Sequence, residues 1–93
     1  MSTIVDKLFL GIWTFAYVKT LLKKKVSKKL GKKISTLRKA QKISQAQLEF
    51  ECGLSRQYIS YLESGLKSPT IDSLVSIADV MGIQVKQLLD FEY

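Results

Sequence analysis

GLSRQYISYLESG, residues 53–65, is the stretch that decides the fold. Glycine, an apolar residue and serine make a turn, and Ser55 is placed to cap a helix opening at Arg56. Ile59 and Leu62 are three apart and share one face of that helix. Arg56, Gln57, Ser60 and Tyr61 point elsewhere. Such a helix buries one apolar edge, and so is held rigidly. Its other face offers arginine, glutamine, serine and tyrosine to a partner.

Upstream, Ser44 and Gln47 have the spacing of a capping box and start another short helix, ending near Cys52. Loss of such a cap costs about 1 kcal/mol. Gly53 is the stop signal. Before it, Leu30, Ile34 and Leu37 recur at helical spacing and predict a first helix over 27–41, with Lys28, Lys29, Lys32, Lys33 and Lys39 on its other faces. Downstream, SGLKSPT (64–70) reads as a loop with Gly65 and Pro69 as breakers. Thr70 caps a fourth helix, with Asp72 in its first turn favouring the helix dipole. That helix is expected to bury Ile71, Leu74, Ile77, Ala78 and Met81, and to stop at Gly82. A last helix over 85–89 offers Val85, Leu88 and Leu89. No segment after residue 26 alternates like a strand. The fold class is therefore all-α: five helices over 27–93, preceded by an additional apolar helix in the N-terminal extension, residues 1–26.

Composition excludes much. One domain fits 93 residues. There is no histidine, and Cys52 is the single cysteine. This rules out an internal disulfide, a zinc site and a histidine-based triad, and it fits a reducing cytoplasm. Cys52 is expected to fill an apolar slot in its helix. No phosphate-binding glycine loop is present. No enzyme and no cofactor are implied.

The charge is lopsided. Residues 1–48 hold twelve Lys or Arg against Asp6 alone, and residues 49–93 hold Arg56, Lys67 and Lys86 against seven acids. The halves carry +11 and −4, which sum to the +7 of the chain. A basic half suggests a polyanion, either nucleic acid or an anionic membrane surface. The bland alternative, a solvated helix face, is the preferred reading of the lysine run from 23 to 33.

Two short helices joined by a glycine turn make a helix-turn-helix. In that motif the second helix enters the major groove of duplex DNA. Arginine can pair with guanine, glutamine with adenine, and serine with either. Ser55, Arg56, Gln57, Ser60 and Tyr61 are thus candidate base-contacting residues.

The run LGKKISTLRKAQKISQAQLEFECGLSRQYISYLESGLKSPTIDSLVSIADVMGIQVKQLL, residues 30–89, resembles the Xre and phage-repressor type of helix-turn-helix domain. Through RQYISYLESG it is similar also to controller proteins of restriction–modification systems. The resemblance implies a transcriptional repressor or autoregulator, dimeric on a near-palindromic duplex. It implies phosphate contacts from Gln45, Ser64 and Lys67, and a buried ion pair between Arg38 and Glu63. Glu49 departs from the family's usual small alanine, and it is expected to meet Arg56 or the Tyr58 hydroxyl, or else to hold two helices slightly apart. Phe50 is also unusual at an exposed-looking position.

The segment LFLGIWTFAYV (8–18) is not explained by DNA binding. It is too short and too soon interrupted by Lys19 to span a bilayer. Three readings stand side by side. They are a helix that packs on the domain or makes a dimer contact, a membrane-surface contact through residues 4–33, and an inconsequential leader.

Overall fold

The computed structural model describes the backbone of residues 3–92 and, among side chains, those of residue 11 and residues 14–92. Residues 8–10, 12 and 13 of the apolar segment therefore have no side-chain account. Five helices follow one another: α1 (Thr3–Ala40), α2 (Gln45–Cys52), α3 (Arg56–Ser64), α4 (Ile71–Met81) and α5 (Val85–Leu88). Among the described residues there is no strand.

The first correction concerns α1. The apolar helix expected before residue 26 and the helix expected from Ser27 are one unbroken helix of 38 residues. The shift from apolar to lysine-rich sequence near residue 26 changes the helix surface. It supplies no break, because no proline lies between 3 and 40 and lysine is a good helix former. At 1.5 Å per residue α1 is about 57 Å long. This length dominates the 62 × 23 × 18 Å molecule.

α2 to α5 gather against the C-terminal half of α1. Leu30 and Ile34 of α1, Leu62 of α3, Leu74, Ile77, Ala78 and Met81 of α4, and Leu88 of α5 form the core. Leu48 and Ile59 are also fully buried, where α2 meets α3. Each buried Leu, Ile or Met side chain contributes about 1.5–3 kcal/mol through removal from water.

The short helices start and stop as their end residues dictate. The hydroxyls of Ser44, Ser55 and Thr70 accept from the amides of Gln47, Tyr58 and Ser73. Gly53, Gly65 and Gly82 close α2, α3 and α4 in the left-handed conformation.

Further expectations change at the edges. Ile71 is 73% exposed, because the first residue of α4 lies at the margin of a stripe centred on Ile77. Leu89 falls one residue beyond α5 and is 47% exposed. Cys52 is half-buried, packed on the rim of the core. Burial, and then the Glu51 carboxylate, push its thiol pKa up, which suits packing and not reactivity. The Tyr58 hydroxyl lies 3.1 Å from that of Ser73 on α4, not against Glu49, for which it is one of the three expected placements. Phe50 is exposed, as its position suggested.

Beyond the core, α1 runs on uncovered. Residues 14–25 are all exposed, including Phe15, Tyr17, Val18, Leu21 and Leu22. The expectation that this segment packs on its own domain fails for these residues. No helix among the described residues is long and apolar enough to cross a membrane.

Candidate nucleic-acid interface

α3 is oriented by what it buries. Ile59 and Leu62 are 0% and 1% exposed, while Ser55, Arg56, Gln57 and Ser60 are exposed and Tyr61 is half-buried. Two helix positions inward and four outward fix the azimuth. The polar face of α3 is open along its first two turns.

Several of these outward groups are already ordered. Gln57 Nε2 donates to the Tyr61 hydroxyl at 2.8 Å, across one helical turn. Lys67 Nζ sits 5.3 Å from the centre of the Tyr61 ring, a cation–π contact that carries the loop after α3 back onto the helix. The Ser64 hydroxyl donates to the Tyr61 carbonyl at 3.1 Å. Ser55 is committed to the Tyr58 amide, and it still has its own O–H to donate. The Arg56 side chain makes no hydrogen bond or ion pair among the described residues.

The far end of α3 is locked by charge. Arg38 Nε donates to Glu63 Oε2 at 2.7 Å and Nη2 donates to Oε1 at 3.0 Å, a two-pronged pair with side chains 9% and 8% exposed. The third prong, Nη1, donates to the Ile43 carbonyl at 2.7 Å. Gln45 Nε2 donates to Glu63 Oε1 at 3.0 Å. Glu63 therefore joins α1, α2 and α3 at one point. Its own burial favours the neutral acid. Hydrogen bonds from Arg38, Gln45 and Ser35, with the Arg38 charge, outweigh this and hold the carboxyl below the usual glutamate range. The hydrogen bond to Glu63 raises the Arg38 pKa, against the opposing effect of its burial.

The structure thus brings Gln45, Ser64 and Lys67 to the margins of α3. One N–H of Gln45 is spent on Glu63, and its second has no hydrogen-bond partner among the described residues. Sequence reasoning missed Ser35 as a partner of Glu63, and it missed the Ser27–Ser68 hydroxyl pair at 2.6 Å. Both depend on how α1 crosses α3, for which no short-range signal exists.

Glycine permits that crossing. A side chain on Gly31 would overlap the Leu62 carbonyl oxygen and lie 2.8 Å from that of Glu63. One on Gly65 would lie 2.7 Å from the Lys28 Cα, at a φ of +79°. The backbone of α1 therefore lies directly on the end of α3 and its following loop.

Residues 34–88 match the helix-turn-helix family. The chain is 40% identical over 62 residues to control protein C.BamHI of Bacillus amyloliquefaciens, covering 66% of this chain and 76% of that one. It is 33% identical over 63 residues to the immunity repressor protein of Bacillus phage phi105, covering 68% of this chain but 44% of the repressor. Among solved structures it is similar to the restriction–modification controller protein C.AhdI from Aeromonas hydrophila. There the TM-score is 0.64 and the identity 30%, over 66% of this chain and 92% of that one. With this sequence match and the arrangement of α2 and α3, the chain belongs to the Xre-type helix-turn-helix family of non-enzymatic, DNA-binding regulators of transcription.

Proposed function

We propose that the protein reads a specific duplex sequence through α3 and thereby represses or autoregulates a bacterial or phage operon. The observation that carries this is the split of α3. Ile59 and Leu62 are sealed in the core, while Arg56 stands free at the helix's leading end and Gln57, Tyr61 and Lys67 form an ordered row behind it. Arg56 and Gln57 reach base edges in the major groove, and Ser55, Ser60 and Tyr61 stand beside them. Gln45, Ser64 and Lys67 grip phosphates and set the register. The work is done in the cytoplasm, where the operon is.

The proposed form on DNA is a homodimer on a near-palindrome, with half-sites about 34 Å apart. Selection of bound oligonucleotides from a random pool gives the preferred sequence and the spacing together. Arg56→Ala combined with Gln57→Ala is expected to flatten the preference at the bases they face, each good bidentate pair being worth about 1–3 kcal/mol of discrimination. A pool enriched for the same sequence by parent and variant would remove α3 from the reading.

The exposed stripe of Phe15, Val18 and Leu22, at spacings of three and four on α1, favours a contact with a second copy. Phe15→Gln with Leu22→Gln is expected to weaken self-association of the full chain in sedimentation equilibrium. Unchanged association would place the dimer surface elsewhere. A bilayer contact through residues 4–33 is the competing use of the same surface, and sedimentation with anionic vesicles detects it.

A further inference from the structure

The lysines of α1 are the largest unassigned charge on the molecule. Lys23, Lys24, Lys25, Lys28, Lys29 and Lys32 are all exposed. The Arg38–Glu63 pair is the one ion pair among the described residues, so none of these ammonium groups has a carboxylate partner there. No acidic residue occurs between Asp6 and Glu49. Their position is not arbitrary. The close approach of α1 to Leu62, Glu63 and Gly65, and the Ser27–Ser68 hydroxyl pair, pin this part of the helix against the end of α3 and the loop behind it. A groove of about 420 Å³ runs between them, lined by Lys25, Lys28, Lys29 and Lys32 together with Glu63 and Ser64. A second, of about 460 Å³, places Lys23 and Lys24 across from Lys67. The single acid in the first groove, Glu63, is neutralised by Arg38.

We infer that this lysine face of α1 is a second DNA-contacting surface, which holds the phosphates flanking each half-site as a continuation of the grip of Ser64 and Lys67. The inference rests on the reading that α3 enters the major groove. Three observations lead to a duplex rather than to another acidic partner. The groove is continuous with the loop placed on the DNA backbone. Lys25, Lys28 and Lys32 form one stripe, with Lys28 and Lys32 about 6 Å apart along a rigid helix, a spacing suited to successive charges on a polymer. The lysines are point charges on flexible stems, which suit phosphate without base preference. The surface would add affinity and lengthen the footprint, and leave sequence choice to α3.

The test is a salt series. Binding of the full chain to a duplex carrying the selected half-sites is measured at increasing salt, with Lys25→Gln/Lys28→Gln/Lys32→Gln beside the parent. Each lost phosphate contact lowers the slope of log affinity against log salt by about 0.9, so the triple variant, which removes three contacts at each of the two half-sites, should lose about 5 from the slope while selecting the same sequence. Lys39→Gln/Lys86→Gln, which removes charge outside both grooves, should change the slope far less. Thermal melting of each variant establishes that it is folded. Parallel lines for parent and triple variant would overturn the inference and leave the α3 reading intact. Equal slope losses in the triple and the control variant would reduce it to a general charge effect and also overturn it. If the triple variant lost vesicle binding but kept the parent's duplex slope, the surface would belong to lipid. A parent that selects no sequence at all would bring down the α3 reading itself, a result separate from the others.

Discussion

Arg38→Met is expected to destabilise the protein by about 3–5 kcal/mol, because it strands the Glu63 carboxylate with its side chain 8% exposed. Single domains are stable by about 5–15 kcal/mol, so a substantial unfolded fraction should follow at physiological temperature. Urea denaturation measures the loss. Replacing both partners, Arg38→Met with Glu63→Leu, should recover most of it, since the buried charge goes with its mate. The coupling between the two sites is the signature: the double variant is expected to be more stable than Arg38→Met alone. A single-site loss under about 1 kcal/mol would mean that the pair behaves as an exposed one.

The same pair sets an acid limb. The folded state holds the Glu63 carboxyl below its ordinary range, so folding favours the ionised form. The stabilisation is complete above the unfolded glutamate pKa, and it drains away as pH falls through the lower, folded value. Glu63→Gln should flatten that part of the stability profile against pH while leaving the neutral region level. The test is the difference in slope between parent and variant in the acid range.

Gly31→Ala is the second large effect. In an ordinary helix interior this change stabilises by about 1 kcal/mol. Here the new methyl group meets the backbone oxygens of Leu62 and Glu63, neither of which can swing aside as a side-chain tip would. Overpacking of this kind costs about 1–3 kcal/mol and occasionally more, and backbone-on-backbone contact places the site at the upper end. A net loss of about 2 kcal/mol or more is expected in denaturant melts. Any gain in stability would show that α1 and α3 stand further apart than described. DNA affinity should drop as well, since moving α1 off α3 disturbs the Glu63 junction that also holds Gln45.

What the sequence told in advance and what it did not divide along physical lines. α2, α3 and α4 were legible because their signals are local. The hydroxyls of Ser44, Ser55 and Thr70 act within three residues, and the glycines at 53, 65 and 82 act at their own φ. The outward face of α3 followed from the spacing of Ile59 and Leu62 alone. The Tyr58–Ser73, Ser27–Ser68 and Gln41–Met81 hydrogen bonds join residues 15, 41 and 40 apart, and no periodicity encodes them. The true start of α1 is not legible at Ser27, because a change of surface chemistry there is no change of backbone. Ile71 was misjudged because helical spacing names a face and says nothing of where its cover ends. Tyr61 and Lys67 were each read as contacts, but their stacking on one another depends on the turn at Gly65.

That α1 is one uninterrupted helix from Thr3 to Ala40 makes it a drive shaft. If α3 reads DNA as proposed, a partner that seizes Phe15 and Leu22 would set the compass bearing of Arg56 through this rod. One alanine inserted at residue 26 would twist the two ends by about 100° relative to each other, whereas seven would restore the bearing nearly and merely lengthen the shaft by about 10 Å.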